Sequence, residues 1–244
     1  MTSKKITSIE FLKLKRRGNF ILLALMLLVY IGGSAIEIYQ FEKGQNIISF
    51  VKTMNSMAES LIGFFLVIFI IMNIGNEYSE GTLRKNIIDG YTRSQFFTGK
   101  LLLLLVITIG AYILGKFTLL IGGVVLNNFQ NVLALFTPSF LINSFIKLLY
   151  SGIFALCLIY LTRNTTISIV IYFIWGTIEN IVILLGHFKK NMDPGLERFM
   201  PLTSIGNVLT TTELITISSI IISVVYVFVM LFLPYYFLLK RDIK

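Results

Sequence analysis

The feature that most constrains this chain is its set of long apolar runs. A helix needs about 20 mostly apolar residues to cross a membrane, and six runs have that length. They lie at residues 19–39, 54–75, 101–126, 140–161, 167–187 and 214–238. Only 14% of the residues are charged, whereas a soluble domain carries about 25%. The sequence therefore predicts an all-α membrane protein with six transmembrane helices, in a single transmembrane domain over residues 1–244.

The basic residues predict how these six spans are oriented. An even number of spans places both termini on one side of the membrane. That side, which includes the segment 76–100 and the turn at Arg163, carries 14 of the 21 Lys and Arg residues, and the opposite side carries five. Because cytoplasmic loops carry the excess of Lys and Arg, we expect both termini in the cytoplasm. The net charge of +9 thus reflects membrane topology, and no nucleic-acid partner is expected.

Two segments outside the spans have patterns of their own. Thr7 and Glu10 have the spacing of a capping box within the basic segment 1–18, which predicts a short helix lying at the cytoplasmic interface. The longest loop of the opposite side covers residues 186–213. We expect short helices in this loop, split by Pro201, and an ordinary solvated loop is the alternative.

The segment 76–100, NEYSEGTLRKNIIDGYTRSQFFTGK, is strongly charged although long apolar runs precede and follow it. An apolar helix face that packs on the rest of the chain is predicted from Leu83, Ile87 and Ile88. Opposite charges recur at the i,i+4 spacing of helical ion pairs, in Glu80–Arg84 and Lys85–Asp89. Gly90 then ends the helix. A hairpin connection needs only about two to eight residues, so the extra length predicts a cytoplasmic docking helix between spans two and three, and a solvated loop is the alternative.

Charged residues inside predicted spans include Lys116, Lys147 and Glu179. At about 1.5 Å of rise per residue, each lies roughly 10–15 Å below the outer surface. An unpaired charge inside the membrane costs on the order of 3 kcal/mol or more. We therefore expect Glu179 to face inward and to pair with Lys147 or Lys116. The alternative is that both lysines reach towards the surface, and the sequence leaves open whether these charges line a substrate path.

The sequence has none of the residue patterns that mark a catalytic site. It contains no HExxH, GxSxG or GxxxxGK[ST] motif, which are typical of metalloproteases, hydrolases and nucleotide-binding loops respectively. The single His187 lies at the outer end of the fifth predicted span, and the single Cys157 excludes an intrachain disulfide. We expect no enzyme activity, no metal and no cofactor in this chain.

Several short motifs together resemble the permease subunit of ABC-2 type transporters. That family has a Glu before Gly-Thr-Leu, then a Ser-Arg pair, then a Lys that opens the third span. The matching positions here are Glu77 or Glu80, Gly81-Thr82-Leu83, Thr92-Arg93 and Gly99-Lys100. The N-terminal EFLKLKR and the final LLKRDI are similar to the two ends of the family's chains. One departure is Gly90, where the family commonly has Pro.

The resemblance implies a permease of an ATP-driven exporter in the bacterial cytoplasmic membrane. Its substrate would be a peptide, a drug, a lipid or a polysaccharide. A separate ABC ATP-binding subunit would bind ATP and Mg, and a second permease chain would complete a homodimer or heterodimer surrounded by membrane lipids. The helix between spans two and three would be a coupling helix that docks on the ATP-binding subunit. The docking residues that the resemblance implies are Glu77, Glu80, Gly81, Thr82, Arg84, Lys85 and Arg93.

Two other functions remain open on the sequence. A secondary carrier would move its substrate without an ATPase, and it would show internal repeats with interrupted spans at matching places. A permease relative could instead serve in immunity or sensing. A gene for an ABC ATPase beside this one would favour the permease over the carrier.

Overall fold

The regular structure of this protein is helical. The computed structural model describes positions 24 and 28 and residues 47–82, 85, 88, 90, 92–125, 129–134, 136–188 and 217–240. Within these ranges every regular element is a helix. The helices are α1 (Ile47–Ser79), α2 (Arg93–Val125), α3 (Phe129–Ala134), α4 (Pro138–Thr162), α5 (Thr165–Phe188) and α6 (Ile217–Lys240). A chain this apolar favours helices because a helix pairs its own backbone groups where no water is present.

Five helices in the described ranges are long and apolar enough to cross a membrane. Their candidate spans are Glu59–Ser79, Arg93–Val125, Phe140–Thr162, Thr165–Val182 and Ile221–Lys240. Large apolar side chains on these helices are exposed, among them Phe117 at 61%, Val224 at 62% and Phe228 at 67%. Exposure of this kind is unfavourable in water and natural in lipid, because the hydrophobic effect acts only against water.

The predicted spans coincide with observed helices at five places. The spans predicted at 54–75, 101–126, 140–161, 167–187 and 214–238 correspond to α1, α2, α4, α5 and α6. The first predicted span, 19–39, lies outside the described residues except for positions 24 and 28. The helix predicted within residues 1–18, both chain termini and nearly all of the loop 186–213 also lie outside them.

Helix α2 begins at Arg93 and not at residue 101, where the apolar run begins. The Thr92 hydroxyl accepts a hydrogen bond from the Gln95 backbone N–H at 3.2 Å, and the Gln95 side-chain oxygen accepts one from the Thr92 N–H at 3.1 Å. This reciprocal pair is a capping box, which satisfies two backbone donors at a helix start. Apolar composition therefore located the span, while a polar cap sets where the helix begins.

A two-residue turn joins α4 to α5. Arg163 has a φ of 54°, in the left-handed region that ends many helices, and its N–H donates to the Ile159 carbonyl at 2.9 Å. Asn164 then caps α5, because its side-chain oxygen accepts a hydrogen bond from the Ile167 N–H at 3.1 Å. The two helices therefore form a tight hairpin at the turn that the sequence assigned to the cytoplasmic side.

The described residues divide between two compact units. The first unit is drawn from residues 70–100 and 153–244, and the second from residues 2–69 and 101–152. The core of the first unit contains side chains that are at most 2% exposed: Ile71, Ala155, Leu156, Ile159 and Tyr160. The core of the second contains side chains that are at most 3% exposed: Ile62, Leu66, Val67, Leu104 and Leu148. The short α3 packs in the second unit through Val132, which contacts Leu119 of α2.

Candidate functional site

Residues 80–92 connect α1 to α2 and are called the connecting segment below. The structure describes seven of its positions: 80, 81, 82, 85, 88, 90 and 92. Glu80 and Lys85 are exposed, and Ile88 is 75% exposed. The Lys85 N–H donates to the Gly81 carbonyl at 3.2 Å, which is the i→i−4 bond of a helical turn. The segment therefore presents charged and apolar side chains on its outside.

Glycines with positive φ lie at both ends of the connecting segment. Gly81 has a φ of 65° and Gly90 a φ of 95°, which glycine adopts readily because it has no Cβ. Proline is fixed near a φ of about −65° and could not take the conformation of Gly90. Gly90 stands where the family pattern has proline, and this difference affects the structure. The turn before α2 has a positive φ at residue 90, which proline cannot adopt.

The prediction that Ile88 packs on the rest of the chain is wrong. A helix turns about 100° per residue, so Ile88 lies about 140° around the helix from Leu83 and cannot share its face. Its 75% exposure agrees with that geometry. The other members of the predicted face and ion pairs lie outside the described residues: Leu83, Arg84, Ile87 and Asp89.

The base of the connecting segment is held by a buried ion pair. The Lys100 ammonium donates to a carboxylate oxygen of Glu77 at 2.7 Å, and the two side chains are 0% and 5% exposed. Lys100 also lies 5.3 Å from the centre of the Phe96 ring. Glu77 was expected on a docking surface, but its side chain points into the first unit. The pair joins the end of α1 to the first turns of α2.

The predicted docking residues Arg93 and Thr82 also contact the chain itself. The Arg93 guanidinium donates to the backbone carbonyls of Leu238, at 3.0 Å, and Leu239. These carbonyls belong to the last turn of α6, where the backbone carbonyls have no N–H donor from the helix itself. The Thr82 hydroxyl donates to the Glu77 carbonyl at 3.3 Å. Arg93 therefore connects the start of α2 to the end of α6.

An aromatic cluster packs beside this ion pair in the first unit. Tyr160 of α4 is 2% exposed, and its ring meets Tyr78 of α1 and Phe97 of α2 edge to face, at centroid distances of 6.2 and 5.5 Å. Phe97 also contacts Tyr235 of α6 at 5.4 Å. The Arg163 guanidinium lies 5.8 Å from the centre of the Tyr78 ring. Side chains of α1, α2, α4 and α6 thus form a series of ring contacts that sequence analysis did not identify.

The second unit contains a cluster of charges contributed by three helices. The Lys116 ammonium of α2 donates to a carboxylate oxygen of Glu59 at 3.0 Å and to the Ser144 hydroxyl of α4 at 2.8 Å. Ser144 in turn donates to the same Glu59 oxygen. The Lys147 ammonium lies 4.0 Å from the other oxygen of Glu59. We call these four residues the Glu59 cluster.

The carboxylate that pairs with both intramembrane lysines is Glu59, whereas the sequence predicted Glu179. Glu179 is 1% exposed and accepts a hydrogen bond from the indole N–H of Trp175, four residues earlier on α5. The error arose because the depth of a residue along a helix does not reveal which neighbour it faces. Glu59 lay within the predicted second span, and its charge there was the signal that could have identified it.

The described part of the chain offers no obvious metal site. Nowhere in it do three His, Cys, Asp or Glu side chains come together as metal ligands would. Its buried charges are instead held by opposite charges, hydroxyls and aromatic rings, as in the Glu59 cluster and the Glu77–Lys100 pair.

Long apolar helices with buried charge pairs define the class, a multi-pass membrane protein. The family model described as ABC-2 family transporter protein matches residues 6–179, which is more than half of the 244 residues. The chain belongs to the ABC-2 transporter family and is a transport permease. Permeases of this family work in general with an ATP-binding partner subunit. A comparison with curated proteins gave no match.

Proposed function

We propose that this chain is the permease subunit of an ATP-driven exporter and that its connecting segment docks on a separate ATP-binding subunit. The observation that carries the proposal is the buried Glu77–Lys100 pair at the base of an exposed, charged segment. A segment held at its base and exposed at its tip can transmit a movement imposed on the tip. ATP and Mg would bind to the partner, because this sequence has no nucleotide-binding loop.

The exposed side chains of the segment suit a soluble protein partner. Glu80 and Lys85 offer charges of opposite sign, and Ile88 offers an apolar contact. Complementary charges steer association and fix its register, while a buried apolar contact contributes to affinity. Arg84 adds a further charge in the sequence. Glu77 does not belong to this surface, because its carboxylate is buried and paired with Lys100.

Two contacts would carry movement from the segment into the membrane helices. The Glu77–Lys100 pair connects α1 to α2, and Arg93 connects α2 to the end of α6. Breaking a buried pair costs about 3–5 kcal/mol when one partner is removed, so the pair resists separation. When the partner closes on ATP, the ends of the three helices would therefore move together rather than independently.

The proposal includes an assembly, which family membership and the charge distribution support. Two permeases, identical or different, would associate with two ATP-binding subunits in the bacterial cytoplasmic membrane. The excess of Lys and Arg on one side supports a cytoplasmic location for both termini and for the connecting segment. We further propose that residues 1–244 form a single transmembrane domain with six spans. The transporter would export its substrate to the outer side of the membrane.

Charge reversal in the connecting segment tests the docking proposal. The permease is purified together with its ATP-binding subunit, and the affinity of the two is measured. Glu80→Lys with Lys85→Glu should weaken the complex at least tenfold, because like charges would then face each other across the interface. Lys190→Glu is the control, since the sequence assigns Lys190 to the loop 186–213 on the opposite side of the membrane. Unchanged affinity in the segment variant, with a folded permease, would refute docking through this segment.

A further inference from the structure

Arg163 occupies a backbone position that disfavours arginine. Its φ of 54° lies in the left-handed region, where the Cβ of an ordinary residue crowds the neighbouring carbonyl, so glycine usually ends a helix in this way. Among the residues that the structure describes, Arg163 is the one non-glycine residue with a positive φ. Because residues under such strain cluster at functional sites, the strain points to a role for the Arg163 side chain.

The Arg163 side chain reaches the end of α1. Its guanidinium lies 5.8 Å from the centre of the Tyr78 ring, within the distance at which a cation is attracted to an aromatic face. The Nε atom of Arg163 and the hydroxyl oxygen of Tyr78 are both shielded from solvent, and such shielding strengthens the attraction. The Tyr78 ring also meets the Tyr160 ring of α4 edge to face at 6.2 Å. Tyr78 is thus held by a ring of α4 and by the turn that follows α4.

The same turn packs against α1 at a second residue. A Cβ added to Gly75 would lie 3.1 Å from the Cβ of Thr165, the first residue of α5, and 3.2 Å from the side chain of Ile159 in the last turn of α4. Gly75 and Tyr78 are three residues apart and therefore lie on the same face of α1. The turn between α4 and α5 thus contacts one face of α1 near its end.

The contacted end of α1 carries the start of the connecting segment. The Gly81 N–H donates to the Tyr78 carbonyl at 3.4 Å, and the Thr82 hydroxyl donates to the Glu77 carbonyl at 3.3 Å. The Lys85 N–H then donates to the Gly81 carbonyl at 3.2 Å, which begins the helical turn of the segment. A change in the orientation of Tyr78 would therefore alter the direction in which the segment leaves α1.

We propose that Arg163 is a positioning residue: by holding its guanidinium against the Tyr78 ring, it fixes the end of α1 and with it the start of the connecting segment. The turn between α4 and α5 then follows a displacement of the segment, in addition to the helices that Glu77, Lys100 and Arg93 join. The positioning role concerns the permease alone. The transmission of movement to α4 and α5 rests on the docking function proposed above.

Hydrogen exchange of the purified permease tests the positioning role without any partner. Arg163→Gly removes the guanidinium, so the amides at residues 81 and 85 should exchange about two- to fivefold faster, the factor that one cation–π contact contributes. Thermal unfolding should occur near the wild-type temperature, because glycine adopts a positive φ without the Cβ penalty and this gain offsets the lost contact. Arg163→Lys keeps a cation near the ring and should restore most of the slow exchange.

Two further variants make the test specific to the contact between Arg163 and Tyr78. Tyr78→Leu removes the aromatic face, and in that background Arg163→Gly should cause no further acceleration, because the two residues share one contact. Asn164→Ala removes the cap of α5 in the same turn and leaves the Arg163 side chain in place. It should lower the unfolding temperature without accelerating exchange in the segment.

The positioning role has clear contrary outcomes. Wild-type exchange in a folded Arg163→Gly permease would overturn it, as would equal acceleration by Asn164→Ala or additive effects in the double variant with Tyr78→Leu. If Arg163→Gly does not fold, Arg163→Gln carries the same test, because it removes the charge while keeping an extended side chain.

The transmission of movement is tested in the complex with the ATP-binding subunit. In wild type, addition of ATP should change hydrogen exchange at the start of α5, residues 165–168, and Arg163→Gly should reduce that change about twofold or more. An ATP response of α5 that is absent from wild type, or the same in both permeases, would rule out transmission through this turn although the complex forms. If wild type forms no complex, the docking function fails, whereas the positioning result for the purified permease stands.

Discussion

Lys100 is the residue whose substitution should lower the stability of the protein most. Lys100→Met leaves the buried carboxylate of Glu77 without its cation, so we expect the permease to lose about 3–5 kcal/mol of stability. Thermal unfolding of the purified protein in detergent measures this loss. The double variant Glu77→Leu with Lys100→Met should recover most of it, because an apolar pair of similar volume is often as stable as a buried ion pair. A single variant as stable as wild type would show that the pair does not hold the helices.

Gly75 should be intolerant of any side chain. A Cβ added there would lie 2.1 Å from the Thr165 hydroxyl oxygen and 3.2 Å from the Ile159 side chain, so the close approach of α1 to α4 and α5 depends on glycine. Gly75→Ala should cost about 1–3 kcal/mol through overpacking, measured by thermal unfolding. Gly110→Ala is the control, because nothing lies within 4 Å of a Cβ at that position. Equal stability of the two variants would contradict the observed packing.

At the residue scale, the sequence identified the charged residues that matter but not the side chains with which they pair. Glu77 and Lys100 were both marked through the family motif, and Lys116 and Lys147 through their place in apolar runs. None of these assignments gave a contact, because a contact depends on how helices rotate about their axes and pack side by side. Glu59 was missed for that reason, and Glu77 was placed on a surface although it is buried.

At the scale of the helix, the capping box of α2 is open to a direct test. Thr92→Ala removes the hydroxyl that accepts the Gln95 N–H, which should cost about 0.5–2 kcal/mol and loosen the first turn of α2. Hydrogen exchange of the amides at residues 93–96 should accelerate accordingly. Ser94→Ala serves as the control, since Ser94 lies in the same turn but takes no part in the capping box. Unchanged exchange in Thr92→Ala would show that the cap does not fix this helix end.

At the scale of the helix, the sequence predicted the positions of the membrane-spanning helices well, but it did not predict the residues at which they begin and end. Five apolar runs sufficed to locate α1, α2, α4, α5 and α6 because membrane crossing demands length and apolarity above all. The start of α2 depends on Thr92 and Gln95, and the break before it on Gly90. The Thr-x-x-Gln spacing of a capping box was visible in the sequence, but it lay in a stretch assigned to the connection.

At the scale of the molecule, the proposed function requires the connecting segment to link the membrane helices to a soluble ATP-binding subunit. Family membership implies in general that the permease needs an ATP-binding partner. The Glu77–Lys100 pair and the contacts of Arg93 supply a route from that segment to three membrane helices.

Site-specific photo-crosslinking tests the central claim most directly. A photoreactive residue is placed at position 85 or 88, which are exposed in the connecting segment, or at position 117, which is 61% exposed on the apolar face of α2. In the intact complex of permease and ATP-binding subunit, we expect adducts to the ATP-binding subunit from positions 85 and 88 and none from position 117. Absence of adducts at both segment positions, while the complex stays intact, would contradict the account.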